Sequence, residues 1–113
     1  CFIADGLVYA MLRLFLVPYP RDRDYASWCR SLVSRRLAAS INAANVVSFF
    51  LWENRLNEVE EVLLFIKTSS AKADELRKAL ESEHPYRVPA IIEIAPEKVN
   101  TKYLEWVVEI TGE

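Results

Sequence analysis

Ile41-Asn42-Ala43-Ala44-Asn45-Val46-Val47-Ser48-Phe49-Phe50-Leu51-Trp52, a break at Glu53-Asn54-Arg55, and a return through Val59-Glu60-Glu61-Val62-Leu63-Leu64-Phe65-Ile66-Lys67-Thr68: the reading of this stretch decides the fold. The outgoing limb is rich in β-branched and aromatic side chains, which fit a pleated, half-buried surface. Asn54 tolerates positive φ, so Glu53-Asn54-Arg55 reads as a tight turn. The product is a hairpin at the middle of a chain of 113 residues. Room is left for a strand and a helix on either side of it.

Those flanks carry the expected periods. Toward the N-terminus, Leu7–Val17 is a near-continuous apolar run ended by Pro18 and Pro20, and reads as a strand. Tyr25, Trp28, Cys29, Leu32, Val33 and Leu37 then follow helical spacing, with Asp22 or Asp24 as the cap. Past the hairpin, Ser69 or Ser70 is placed to cap a helix whose apolar side is Ala73, Leu76, Ala79 and Leu80. His84-Pro85-Tyr86-Arg87-Val88-Pro89 follows, where Pro85 removes a donor and disfavours helix at His84. Val88–Ala95 reads as a strand. Asn100 opens a short helix with Tyr103, Trp106, Val107 and Ile110 on one face. The order β-α-β-β-α-β-α predicts one α+β domain over residues 1–113, a ferredoxin-like βαββαβ sandwich with an additional C-terminal helix. Right-handed crossovers place both long helices on one face of the antiparallel sheet.

The strands are too apolar for that layout to stand alone. A sheet with one wet face alternates apolar and polar side chains. Here Val62, Leu64 and Ile66 are apolar, and so are Leu63 and Phe65 between them; Met11 to Val17 is broken only by Arg13. Both faces need cover, and copies of the same chain are the economical source. Phe49, Phe50 and Trp52 are the candidate contacts between copies.

Composition removes several classes. The net charge is −2, and Arg55 is the only basic neighbour of the aromatic strand, so a nucleic-acid platform is not expected. Arg30, Arg35 and Arg36 read as a solvated helix face, as do Glu81 and Glu83, which leaves an enzyme built on the single histidine without partners. Leu7–Val17 is eleven residues with Arg13 inside, far short of the ~20 of a membrane span. Gly6 and Gly112 are the only glycines, too few for phosphate loops or dinucleotide fingerprints. Cys1 and Cys29 make no disulfide framework and, with one histidine, no zinc site within one chain. A reducing, cytoplasmic setting is expected; Cys29 reads as a buried thiol and Cys1 as a truncated start.

Five pieces in order, Ser31-Leu32-Val33-Ser34-Arg35-Arg36-Leu37-Ala38-Ala39, Ser48-Phe49-Phe50-Leu51-Trp52-Glu53-Asn54-Arg55-Leu56, Ile66-Lys67-Thr68, His84-Pro85-Tyr86 with Pro89, and Tyr103-Leu104-Glu105-Trp106, resemble the CutA family of small trimeric divalent-cation tolerance proteins. The resemblance implies a non-enzymatic homotrimer with no required cofactor and with copper as the metal to consider. In the copper-binding branch the ligands are a cysteine at the end of the first strand, the histidine of His-Pro-Tyr, and a glutamate after the second proline. The matching positions are Val17, His84 and Ala90, so two donors are gone and weak metal binding at His84 is expected. Ser40 also replaces the family's cysteine. The alternative is a PII-like trimeric signalling module, with Lys67, His84, Tyr86 and Arg87 lining a cleft between copies for a small anion. A purely structural role for His84, ending the helix and bonding backbone, is the competing reading.

Overall fold

The computed structural model describes residues 10–112. Strand β1 (Leu12–Pro20) leads into helix α1 (Tyr25–Ser34), the hairpin β2 (Ser40–Trp52) and β3 (Arg55–Ser69), helix α2 (Ala73–Glu83), the short β4 (Ile92–Ile94) and helix α3 (Thr101–Thr111). The four strands form one antiparallel sheet in the order β2-β3-β1-β4. This is the expected ferredoxin-like arrangement. The expected first strand began at Leu7; Leu7 to Tyr9 lie outside the described residues, as does Cys1.

Alternation sorts the sheet into two faces. Phe15, Val17 and Tyr19 of β1 join Val62, Leu64 and Ile66 of β3 against Leu32 of α1 and Leu76 and Leu80 of α2, all buried. Burying each large apolar side chain contributes about 1.5–3 kcal/mol. The other face carries the rungs Leu14↔Lys67, Leu16↔Phe65 and Pro18↔Leu63, with Ile94 and Ile92 beside Leu14 and Leu16. Helix α3 covers this face only at one end, where Leu104 and Val107 meet Leu12 and the Thr111 hydroxyl reaches Ser69 Oγ at 2.7 Å. At the same end the Ser40 and Tyr103 hydroxyls lie 3.0 Å apart. The stripe on α3 differs from the expected one: Leu104, Val107 and Thr111 are buried and Trp106 is exposed. The helix meets the end of the sheet rather than a broad face, so its contact line is narrow.

Two helix ends depart from the sequence reading. Helix α1 stops at Ser34, before Leu37, because Arg36 adopts φ 62°. Leu37 N–H then donates to Leu32 O and Arg36 N–H to Val33 O, a Schellman motif that tucks Leu37 back onto Leu32. Asp24 does cap the start, its Oδ1 accepting from Ser27 N–H at 3.0 Å. Helix α2 has no side-chain cap, since Ser70 Oγ accepts from Met11 N–H and Ser69 from Thr111 instead. Likewise no side-chain bond caps α3 at Asn100.

Strand β1 continues through both prolines that were expected to end it. The opposite correction applies to β4, three residues instead of Val88–Ala95. One cause explains both. β4 pairs only with Leu14–Leu16, and two rungs further would set Ala90 opposite Pro18, which has no N–H to offer. Prolines sit in β1 where no strand among the described residues pairs with its outer edge.

The hairpin outruns the sheet. The last β1–β3 rung is Pro20↔Glu61, whereas β2 and β3 remain paired out to Trp52↔Arg55. Residues 47–60 are therefore a two-stranded ribbon, consistent with a longest dimension of 54 Å against 26 and 22 Å. Its tip has positive φ at both Glu53 (52°) and Asn54 (66°), the requirement of a type I′ turn. Glu at the first of these is strained by about 1 kcal/mol. Glu53→Gly is expected to raise stability by roughly 0.5–1 kcal/mol in urea unfolding, while Glu53→Val should lower it.

Candidate functional site

The connector from α2 to β4 wraps the free edge of β1, and His84 is its pivot. Extended backbone at His84 (φ −72°, ψ 139°) ends α2, as Pro85 requires. The ring is only 8% exposed, set against Tyr19 and Trp28 with ring centroids 5.3 and 5.8 Å away. Tyr86 N–H donates to Nδ1 at 3.0 Å, so that nitrogen is unprotonated. Nε2 then carries the hydrogen and donates to Pro18 O at 2.8 Å. This carbonyl faces the edge that β4 vacates. The imidazole thus replaces a missing rung of the sheet.

Burial pushes the His84 pKa below its ordinary 6.5, against the opposing pull of the Pro18 carbonyl and Glu61. The unfolded chain therefore binds a proton that the folded chain refuses between the two values. The His84 contribution to stability is full above pH 6.5 and is lost as pH falls through the lower native value. Melting temperature should decline across that window in the wild type and decline less in His84→Asn, as followed by circular dichroism against pH.

Tyr86 carries the connector to the other face. Its hydroxyl donates to Glu61 Oε2 at 2.6 Å, and Ser48 Oγ donates to Glu61 Oε1 at 2.5 Å. Glu61 is 4% exposed and lies at the last rung before the ribbon leaves the sheet. Burial, then the hydrogen bond to the Glu61 carboxylate, push the Tyr86 phenol well above its ordinary value. Arg21 tightens the same junction, donating from Nη2 to Val46 O at 2.8 Å and pairing with Glu60 at 3.4 Å. Sequence reading passed over Glu61, Ser48 and Arg21. The signal available was a glutamate inside an apolar strand.

The remaining candidates are dispersed. Lys67 stands on the same open face as Glu61 but six residues along β3, about 20 Å away. Its ammonium donates to Asn42 Oδ1 and to Phe65 O, and burial lowers its pKa. Arg87 is exposed and makes no ion pair or side-chain hydrogen bond among the described residues. One chain does not gather Lys67, Tyr86 and Arg87 into a cleft. Phe49, Phe50 and Trp52 lie on the ribbon, 65%, 41% and 42% exposed.

The family-implied copper ligands do not fit. Val17 is fully buried in the core and Ala90 is exposed, and neither has a donor atom. Both nitrogens of His84 are engaged. Among the described residues no three His, Cys, Asp or Glu side chains are grouped to hold a metal. Cys29 is half-buried beside the core, and burial raises its thiol pKa, which disfavours the thiolate.

Arg35, Arg36 and Glu83 are exposed, as a solvated face requires, and they also make bonds between elements. Arg35 forms a bidentate pair with Glu83 (3.0 and 2.8 Å), whose Oε1 also accepts from Trp28 Nε1 at 2.9 Å, so α1 is clipped to the end of α2. Arg36 donates from Nη1 to Ile110 O at 3.1 Å, holding the C-terminal turn of α3.

Comparison with known proteins agrees with this geometry. The family model described as CutA1 divalent ion tolerance protein matches residues 13–110. "Protein CutA homolog" of Xenopus laevis is 38% identical over 111 residues, covering 97% of this chain and 74% of that protein; the chain spans only 61% of the mouse protein CutA. The crystal structure of CutA1 from Pyrococcus horikoshii matches with a TM-score of 0.83 and 31% identity, over 88% of this chain and 97% of that one. A structure described as the periplasmic divalent cation tolerance protein CutA from Archaeoglobus fulgidus matches with a TM-score of 0.83 and 28% identity, over 89% and 99%. No helix among the described residues is long and apolar enough to cross a membrane. This chain belongs to the CutA1 divalent ion tolerance protein family.

Proposed function

We propose that the chain acts as a non-enzymatic homotrimer in divalent-cation tolerance, with weak copper binding of its own. One observation carries the assembly: the face bearing Leu14, Leu16, Leu63, Phe65, Ile92 and Ile94 is apolar, and no helix among the described residues covers it beyond the Leu12 end. Three copies packed through that face and through their ribbons bury it. Weak copper binding follows from the lost donors at positions 17 and 90. A cytoplasmic setting is supported by the free thiol of Cys29, although the Archaeoglobus fulgidus relative is described as periplasmic.

Light scattering at micromolar concentration tests the assembly, and a stable folded monomer would overturn it. Calorimetry with divalent copper on the wild type and on His84→Ala tests the second part. Binding weaker than micromolar in both is expected. Submicromolar binding lost in His84→Ala would mean that a neighbouring copy supplies ligands.

A second reading, a PII-like site for a small anion between copies, draws support from the exposed Arg87, which has no ion partner among the described residues. Lys67 and Tyr86 would reach it only from different copies. A thermal-shift screen of nucleotides and carboxylates separates this reading from the first.

A further inference from the structure

The ribbon that reaches furthest from the sheet is held at its root by a chain of hydrogen bonds starting at the lone histidine. Pro18 O accepts from His84 Nε2, His84 Nδ1 accepts from Tyr86 N–H, and the Tyr86 hydroxyl donates to Glu61 Oε2. Ser48 Oγ donates to Glu61 Oε1 from the neighbouring strand. Ser48 pairs with Val59 and Glu61 with Val46, so this last bond runs diagonally across β2 and β3, from the last rung that β1 supports into the ribbon beyond it. The chain begins on a rigid strand and ends on both limbs of the ribbon.

Every atom in the chain has one role. Nδ1 has no hydrogen because it faces an N–H; Nε2 has one because it faces a carbonyl. The Glu61 carboxylate is buried and is met by two hydroxyl donors, with no cation on its oxygens among the described residues. A buried carboxylate that loses a donor leaves a charge poorly compensated, so the geometry at Glu61 depends on Tyr86 staying in place. Tyr86 in turn is aimed by the Tyr86 N–H bond to the ring of His84. A metal on either nitrogen of that ring would break one of its two bonds.

We propose that His84, Tyr86, Glu61 and Ser48 form a positioning chain that sets the direction of the 47–60 ribbon for self-association, and that His84 serves it as a hydrogen-bond bridge and not as a metal ligand. The proposal rests on the self-association reading above, because it assigns the chain to that contact. His84 and Tyr86 are positioning residues; neither needs to touch the neighbouring copy.

The test compares the wild type with His84→Asn, His84→Gln, Tyr86→Phe and the double variant His84→Gln/Tyr86→Phe. Sedimentation gives the dissociation constant, and amide hydrogen exchange reads residues 46–61. An Asn Oδ1 lies where Nδ1 lies and accepts the Tyr86 N–H, but the shorter side chain cannot reach Pro18 O, so His84→Asn keeps one link, loses the other, and should also weaken association and speed exchange at 46–61. His84→Gln and Tyr86→Phe should each weaken association about tenfold, the worth of one net hydrogen bond. The double variant should be no weaker than the worse single one. Wild-type behaviour in Tyr86→Phe, or fully additive losses in the double variant, would overturn the chain as a unit. A monomeric wild type would sink the self-association reading by itself; the exchange data then decide alone, unchanged rates in Tyr86→Phe overturning the positioning role and faster rates at 46–61 supporting it. Imidazole nitrogen shifts of His84 should remain those of the Nε2-protonated ring when zinc is added. A zinc-dependent shift would overturn the bridge.

Discussion

Trp52→Ala is expected to cost about 3–5 kcal/mol of stability in the assembled protein, the usual loss on truncating a buried tryptophan. The same change in an isolated chain should cost far less, because 42% of the residue is already exposed there. Phe49 and Leu51, which precede it on the ribbon, are more exposed still, so the isolated chain has little around the ring to lose. Thermal melting and sedimentation on the same samples separate the two cases. Unchanged melting with unchanged assembly would show that the ring is peripheral and that the ribbon is not the contact.

Two adjacent positions on β1 should divide folding from assembly. Phe15 is fully buried against the helices, whereas Leu16 is on the face left open, opposite Phe65. Phe15→Ala is expected to cost about 3–5 kcal/mol in urea unfolding whatever the state of association, since a cavity is left among Leu32, Leu64 and Leu76. Leu16→Asp should leave the chain folded and dilute it to monomer, because assembly would bury an unpaired carboxylate in each copy. A trimer of wild-type affinity in Leu16→Asp would place the contact elsewhere.

Element order was readable because near-continuous apolar, β-branched runs give way to apolar residues at helical spacing along this chain. Tertiary context set what was misread. Val88–Ala95 has the composition of a strand, but a strand needs a partner with donors, and the partner at that point is Pro18. Helix α1 looked longer because Leu37 continues its spacing; the residue is buried through a reversed turn and not through another turn of helix. His84 was legible as a pivot from its two prolines. Its tautomer was not, since both hydrogen-bond partners are backbone groups brought in by the fold. Glu61 was missed because composition treats a glutamate in a strand as solvated until the hydroxyls facing it are known.

The two prolines at the end of β1 also bear on solubility. An exposed strand edge templates the addition of further strands, and unlimited addition produces fibrils. Along Val17–Pro20 this edge has lost the donors at Pro18 and Pro20, and the next stretch is shielded by a strand of only three residues. The long edge of β2 at the opposite side has no such block. Strand-by-strand growth therefore has one competent terminus per molecule, and a polymer that can elongate needs two.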